Sequence, residues 1–178
     1  MDWSQQRFGQ PVRCRITIRH EFNGRAAKPE AKALDGQVLE LTALWPRESM
    51  AVIGSSLGGF YAAVMAESLG CRAAFINPAV APARDLARHI GEQTAFHDPS
   101  ERFYFREEFI QQFALLDPYP LQHPERHWAL IAKGDEVLDW REMHARYADC
   151  PMRLLEGSDH ALSGFDQDLP HLTRFLSL

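Results

Sequence analysis

The segment GSSLG at residues 54–58 could hold a serine for nucleophilic chemistry. It fits the pattern G-x-S-x-G with Ser56 at its centre, and it lies between the apolar run Met50–Ile53 and the helical pattern Phe60–Leu69. In a strand–turn–helix context this pattern forms a sharp turn that exposes the central serine hydroxyl. The segment therefore predicts Ser56 as a nucleophile and the backbone N–H of Leu57 as a donor to a developing oxyanion.

Two other interpretations of this segment remain open on its residues alone. A glycine-rich turn can join a strand to a helix without any chemical role. The N-terminus of a helix can also bind phosphate, but a P-loop has Gly-Lys-Ser/Thr at this point, and residues 54–58 contain no lysine. The choice depends on whether the chain supplies a base and an acid, because a serine hydroxyl is a poor nucleophile without them.

A histidine and an aspartate follow later strands in the order that such a serine needs. In hydrolases with this turn, the acid and then the histidine come after the serine, each in a loop that follows a strand. Asp135 follows the predicted strand His127–Lys133, and His160 follows the predicted strand Met152–Leu155. We therefore predict Asp135 as the acid and His160 as the base that activates Ser56.

The choice of acid has alternatives nearby in the chain. Glu136 and Asp139 are also close to the strand end, and Asp139 is the second choice. We prefer Asp135 because it leaves the strand end directly, where a carboxylate can reach across the top of a sheet. Asp139 is in position to be the N-cap of a helix over residues 139–147. Asp159 is a poor candidate because adjacent side chains in an extended loop usually diverge.

The remaining histidines and the cysteines do not have the spacing of a metal site. His123 and His127 flank Pro-Glu-Arg and are predicted to be surface residues rather than metal ligands. Cys14, Cys71 and Cys150 lie far apart and form no C-x-x-C, so neither a zinc site nor a disulfide framework is indicated. Each cysteine is predicted to be a small buried residue.

Short apolar runs alternate with helical patterns after residue 50, which is typical of an α/β domain with a mainly parallel sheet. The predicted strands are 50–53, 72–76, 127–133 and 152–155, and the predicted helices are 60–69, 83–90, 139–147 and 168–176. Residues 92–120 form an aromatic insertion in which Phe105, Phe109 and Phe113 recur at helical spacing. This insertion is predicted to be helical, either as a cap that holds an acyl chain or as a helix packed on the core.

Composition and charge limit the class of protein. The chain has 178 residues, 46% of them hydrophobic and 24% charged, which suits a single domain with a core. A net charge of −5 argues against a nucleic-acid-binding protein. The N-terminus lacks a signal-peptide core, and no apolar run is long enough to span a membrane, so a cytoplasmic soluble protein is expected. A monomer and a homodimer both fit the sequence.

Four segments together resemble the small bacterial YqiA/YcfP-type esterases of the α/β-hydrolase superfamily. They are VIGSSLGGFYA (52–62), INPAV (76–80), KGDEVLDW (133–140) and EGSDHAL (156–162). The resemblance covers residues 48–176 and implies one α/β-hydrolase domain, a three-layer sandwich. It implies a serine esterase or thioesterase that acts on small to medium acyl esters without a cofactor. Ser56, Asp135 and His160 would be its nucleophile, acid and base.

The N-terminal part, residues 1–47, departs from the family pattern. After its first strand the family has His-Gly-Phe, whose backbone supplies the second oxyanion donor. Here one strand is predicted at Val12–Ile18, followed by His20 and Phe22, with Glu21 in place of the glycine. Phe22 is then the expected second donor, although a carboxylate beside it would repel an anion. Loss of one donor typically costs roughly 100- to 1,000-fold in rate, so the alternative is a catalytically impaired hydrolase-fold protein with a binding role.

Overall fold

A parallel sheet of five strands organises the chain in the computed structural model, which describes residues 15–17, 40, 42–94, 100 and 102–177. The strands of the chain are β1 (Arg15–Thr17), β2 (Ala51–Ser55), β3 (Arg72–Ile76), β4 (Gly91–Thr94), β5 (Arg102–Phe105), β6 (His127–Ala132) and β7 (Met152–Leu155). The main sheet has the order β1-β2-β3-β6-β7, and all of its neighbouring pairs are parallel. The prediction of a mainly parallel α/β fold is confirmed.

The helices are α1 (Leu57–Leu69), α2 (Pro82–Leu86), α3 (Glu107–Leu116), α4 (Trp140–Arg146) and α5 (Leu169–Leu176). The first four lie between parallel strands, because a parallel pair needs a crossover, and α5 follows the last strand. The helix α1 begins three residues before the predicted start, since Gly58 and Gly59 are already helical. The helix α2 is shorter than predicted and continues as a 3-10 turn over Ala87–His89.

The core lies on both faces of the sheet, because successive side chains of a strand point to opposite faces. On one face, Val52 and Ile131 pack with residues of α1 and with Met143 of α4. On the other face, Leu130 packs with Leu172 of α5. The helices therefore cover the sheet from both sides, as in the predicted three-layer sandwich.

The insertion at 92–120 contains a hairpin as well as a helix. β4 pairs with β5 in antiparallel orientation, and α3 follows. Phe105 lies in β5, so its prediction as part of a helix with Phe109 and Phe113 is wrong. Phe105 and Phe113 pack against α1 in one apolar cluster, and the rings of Phe60 and Phe113 meet edge to face at 5.8 Å. Phe105 and Phe113 therefore pack on α1, whereas Tyr104 and Tyr119 are exposed.

Two sequence-based expectations about single residues have different outcomes. His127, expected at the surface, is 1% exposed, because it begins β6 and its ring lies 5.3 Å from that of Phe75. Cys71 and Cys150 are buried as predicted. Burial raises the pKa of Cys71 to about 11 and that of Cys150 to about 12, so both stay as neutral thiols.

Several predictions for the N-terminal part lie outside the described residues. The predicted strand Val12–Ile18 is observed over Arg15–Thr17, where it pairs with β2. His20, Glu21 and Phe22, and with them the second oxyanion donor, lie outside the description, as does Cys14. Within the residues that the structure describes, no helix is long and apolar enough to cross a membrane.

Candidate active site

The turn between β2 and α1 holds Ser56 in an uncommon backbone conformation. Ser56 has φ 55° and ψ −127°, a backbone conformation that residues other than glycine adopt only when their surroundings impose it. The N–H of Ser56 donates to the carbonyl of Ile76 at 2.9 Å, and its carbonyl accepts from Gly59 N and Ala79 N, each at 2.9 Å. The end of β3, the segment after it and the first turn of α1 therefore fix the peptide groups of Ser56.

The glycines of this turn are required by close backbone contacts. A Cβ on Gly54 would lie 2.0 Å from the carbonyl oxygen of Gly58. A Cβ on Gly59 would lie 2.7 Å from Cβ of Pro78. Both distances are far below van der Waals contact, so the small residues allow β2, α1 and the segment after β3 to meet at Ser56.

The three residues predicted to act together do lie together. His160 Nε2 is 2.9 Å from Ser56 Oγ, and His160 Nδ1 is 2.8 Å from Asp135 Oδ2. Because an ionised carboxylate only accepts, the imidazole proton is on Nδ1, which leaves Nε2 to accept from the serine hydroxyl. The Asp135 side chain is fully buried, and that of His160 is 20% exposed. Ser56, Asp135 and His160 follow β2, β6 and β7, so residues after three strand ends form one line of hydrogen bonds.

The second oxygen of Asp135 is also bound. Asp135 Oδ1 accepts from Val137 N and Leu138 N, each at 2.8 Å. These two backbone donors fix the plane of the carboxylate, so that Oδ2 faces the imidazole of His160.

The other carboxylates considered as the acid have different partners. Asp139 Oδ1 accepts from Arg141 N at 2.9 Å and so caps α4, as expected from its position. The carboxylate of Asp159 accepts from the backbone N and the hydroxyl of Ser163 at 2.8 and 2.6 Å, and these hydrogen bonds lower the pKa of Asp159. The imidazole of His160 is bonded to Asp135 and to neither of these two.

Two further residues contact the main chain of the His160 loop: Asn77, which sequence reasoning missed, and Glu136, which it considered only as an alternative acid. Asn77 Nδ2 donates to the carbonyls of Asp159 and His160 at 3.0 Å each, and Glu136 Oε2 accepts from His160 N at 3.0 Å. In the sequence Asn77 served only as the residue that ends a strand before a proline. The one signal in the sequence is that Asn77 belongs to INPAV (76–80), one of the four segments that resemble the family. The resemblance assigns no role to Asn77.

A cleft of about 350 Å³ lies beside Ser56. Apolar side chains form part of its lining, namely Leu57, Val80, Leu86, Leu138 and Met143. Arg84 of α2 and Glu142 of α4 also line the cleft, and two hydrogen bonds of 2.9 and 2.6 Å join them. This contact lowers the pKa of Glu142, so the ion pair connects two walls of the cleft at neutral pH.

Leu57, the predicted oxyanion donor, lies at the start of a helix beside the cleft. It is the first residue of α1, directly after Ser56, and it lines the same cleft. The first N–H groups of a helix have no acceptor within the helix and carry the positive end of its dipole. Within the part of the chain that the structure describes, no group of three or more His, Cys, Asp and Glu side chains could hold a metal ion.

The sequence over residues 3–177 matches the uncharacterised protein family UPF0227. The chain belongs to this family. The resemblance to YqiA/YcfP-type proteins, which was based on four segments, is thereby confirmed for nearly the whole chain of this UPF0227 protein.

Solved structures show the same fold for this UPF0227 member. Alpha/beta hydrolase domain-containing protein 10 from mouse has a TM-score of 0.59 at 19% identity, over 85% of this chain and 70% of that one. The esterase domain of a Rhodothermus marinus protein has a TM-score of 0.56 at 18% identity, over 86% and 71% of the two chains. An alpha/beta superfamily hydrolase from Oenococcus oeni has a TM-score of 0.55 at 13% identity, over 85% and 76%. At these identities the likeness establishes the α/β-hydrolase fold.

Proposed function

We propose that the protein is a serine hydrolase, a carboxylesterase or thioesterase that cleaves small to medium acyl esters through an acyl-enzyme. The observation that carries this proposal is the line of hydrogen bonds from Ser56 Oγ to His160 Nε2 at 2.9 Å and from His160 Nδ1 to Asp135 Oδ2 at 2.8 Å. One structural neighbour is described as an esterase domain and another as a hydrolase, and both descriptions agree with this chemistry.

The first half-reaction transfers the acyl group to Ser56. As Ser56 Oγ attacks the acyl carbonyl, His160 Nε2 takes the hydroxyl proton, and the carbonyl electrons move to its oxygen. The buried carboxylate of Asp135 stabilises the imidazolium that forms. When the tetrahedral intermediate collapses, the bond to the leaving alcohol or thiol breaks, and His160 gives its proton to that group. The products of this half are the acyl-serine and the free alcohol or thiol.

The second half-reaction releases the acid. A water molecule gives a proton to His160 Nε2 and attacks the acyl-serine carbonyl, and the new tetrahedral intermediate then expels Ser56 Oγ. The serine oxygen recovers its proton from His160, which restores the starting state. In both halves the N–H of Leu57 is the proposed donor to the oxyanion, and Phe22 remains the predicted second donor.

The cleft beside Ser56 supports an apolar acyl group as the substrate part next to the nucleophile. Its volume of about 350 Å³ and its apolar side chains suit a short to medium acyl chain. The cleft also has charged lining residues, among them Asp85, Arg88 and Asp139 besides the ion pair of Arg84 and Glu142. Its apolar side chains favour a neutral acyl group over a charged one for the part of the substrate that contacts them.

A second candidate is a binding protein with an impaired hydrolase site. The observation that favours it is Glu21, which stands where the family motif has glycine and would disturb the second oxyanion donor. Reaction with a fluorophosphonate probe separates the two candidates, because the probe needs an activated serine.

We expect the wild-type protein to be labelled by a fluorophosphonate and to hydrolyse nitrophenyl butyrate. Ser56→Ala should abolish labelling and lower kcat by on the order of 10⁴-fold or more. Ser55→Ala is the matched control, since it removes the adjacent, exposed hydroxyl and should leave labelling intact. A folded wild-type protein that neither reacts with the probe nor cleaves the ester would contradict the hydrolase and leave the binding role.

A further inference from the structure

The main chain of His160 is held by side chains on both of its peptide groups. On the N–H side, Glu136 Oε2 accepts from His160 N at 3.0 Å. On the carbonyl side, Asn77 Nδ2 donates to His160 O at 3.0 Å, and the same nitrogen donates to Asp159 O at 3.0 Å. The two side chains come from the residues that directly follow β3 and that follow β6, so the sheet itself reaches the loop that carries His160.

Asn77 is anchored to the sheet independently of that loop. Its side chain is fully buried, and its Oδ1 accepts from Ala132 N at 2.8 Å. Its backbone N donates to Leu130 O at 2.9 Å. Because an N–H faces Oδ1 and two carbonyls face Nδ2, the orientation of the amide follows from its partners. Asn77 has φ 41°, a left-handed conformation that asparagine tolerates better than most residues.

The loop that carries His160 is largely exposed before the histidine. Glu156, Gly157 and Ser158 are exposed, and Asp159 and His160 are only half-buried. The imidazole is bonded at both ring nitrogens, but the position of the ring relative to Ser56 also depends on where the backbone of His160 lies. The hydrogen bonds to Asn77 and Glu136 hold this backbone at His160 itself, whereas Ser158 lies against Gly134 and Asp159 bonds to Ser163 within the loop.

We propose that Asn77 and Glu136 are positioning residues that hold the backbone of His160 so that its Nε2 faces Ser56. This inference rests on the proposed hydrolase function. Neither residue touches the reacting atoms, and both act through the position of the base. A displacement of about 1 Å in a catalytic group can cost on the order of 100-fold in rate.

Asn77→Asp separates the two tasks of the asparagine. The variant keeps an oxygen that can accept from Ala132 N, but it loses both N–H donors and turns an oxygen toward the carbonyls of Asp159 and His160. We expect kcat for nitrophenyl butyrate to fall about 100-fold with KM within a few-fold of wild type. A residue that served only to stabilise the fold would change the urea midpoint without this division between kcat and KM.

Glu136 provides an independent test, because its side chain is exposed and its removal leaves the core intact. Glu136→Ala should lower kcat about tenfold, the effect of one lost hydrogen bond to a charged group, again with little change in KM. Glu136→Gln keeps an oxygen acceptor for His160 N and should restore kcat to within about threefold of wild type. Glu125→Ala is the matched control, since it removes an exposed glutamate just before β6, at the opposite end of the sheet.

The outcomes distinguish this inference from the function on which it rests. A wild-type protein without ester hydrolysis and without probe labelling overturns the hydrolase, and the positioning role with it. An active wild type whose Asn77→Asp and Glu136→Ala variants keep the wild-type kcat overturns the positioning role alone. If Asn77→Asp does not fold, the comparison of Glu136→Ala with Glu136→Gln decides. Equal losses in these two variants count against the hydrogen bond to His160 N.

Discussion

Three carboxylates lie within the seven residues that follow β6, and each has a different partner. Asp135 contacts the imidazole of His160, Glu136 contacts the backbone N of His160, and Asp139 caps α4. Sequence reasoning placed all three near the site and preferred Asp135 because it leaves the strand end directly. The structure adds the reason that Asp135 alone is aimed at the ring: the N–H groups of Val137 and Leu138 hold its other oxygen.

The roles of these aspartates can be compared through the same isosteric change. Asp135→Asn should lower kcat by about 10⁴-fold, because an amide facing Nδ1 favours the wrong imidazole tautomer. Asp139→Asn should keep kcat within a few-fold, since asparagine is also a good N-cap. Ester hydrolysis measured for both purified variants tests this prediction. A large loss in Asp139→Asn with full activity in Asp135→Asn would assign the acid to Asp139.

Asn77 shows why some site residues are not visible in the sequence. Next to Pro78 it predicts only the end of a strand. Its side-chain partners, Asp159 and His160, lie 82 and 83 residues further along the chain. No local pattern encodes such a contact, whereas Ser56, Asp135 and His160 could be predicted because each follows a recognisable strand in a known order.

Among the elements, the turn from β2 into α1 depends on backbone contacts that admit no side chain. The carbonyl of Gly58 occupies the space where a Cβ of Gly54 would be, and Pro78 occupies that of Gly59. A helical glycine normally costs about 1 kcal/mol relative to alanine. At position 59 this preference for alanine is reversed, because a Cβ there would clash with Pro78 in the segment after β3.

Gly54→Ala should lower the free energy of unfolding by about 1–3 kcal/mol, because the methyl group forces the backbone of α1 away from β2. Gly157→Ala is the matched control, since nothing lies within 4 Å of its added Cβ. The control should stay within about 0.5 kcal/mol of wild type. Urea unfolding of the three proteins measures both values, and equal stability of the two variants would contradict the contact at Gly54.

The elements that were predicted well have strong boundary signals. β3 was predicted with its observed bounds, between Gly70 and the Asn77-Pro78 pair. The hairpin of β4 and β5 was not predicted, because Phe105 lies four residues before Phe109 and so imitates a helical repeat. A short apolar segment can fit the repeat of a helix and that of a strand equally well. Phe105 lies in a strand because its segment pairs with β4 in antiparallel orientation.

At the scale of the whole molecule, the two ends of the sheet differ in their polar groups. The carboxyl ends of the strands carry the candidate site, whereas His127 begins β6 at the other end. His127 Nε2 is 3.5 Å from Glu67 Oε1, and within the described residues neither this oxygen nor His127 Nδ1 has a hydrogen-bond partner. Burial lowers the pKa of His127, and the nearby carboxylates of Glu67 and Glu125 offset only part of this effect.

The buried His127 predicts a loss of stability in mild acid. Its pKa is lower in the folded protein than the value of about 6.5 in the unfolded chain. The unfolded chain therefore binds more protons below this pH, and stability is full above about pH 6.5 and falls as the pH drops below it. The contribution of this one group is at most about 1.4 kcal/mol per pH unit.

His127→Gln should reduce this acid sensitivity. Thermal melts at about pH 7.5 and about pH 5.5 should show a smaller decrease in Tm for His127→Gln than for wild type. His123→Gln, a change at an exposed histidine near the same strand, should keep the wild-type decrease. If all three proteins lose the same Tm between the two pH values, another group is responsible.

The contact between Ser56 and His160 joins residues that are 104 positions apart. At synthesis rates of roughly 5–20 residues per second, the ribosome adds His160 about 5–20 s after Ser56. During that interval the nascent chain contains Ser56 without its base, so the Ser56 hydroxyl has the low nucleophilicity of an ordinary serine. In the proposed mechanism, a growing chain is therefore unable to attack cellular acyl groups until His160 has been added and has reached Ser56.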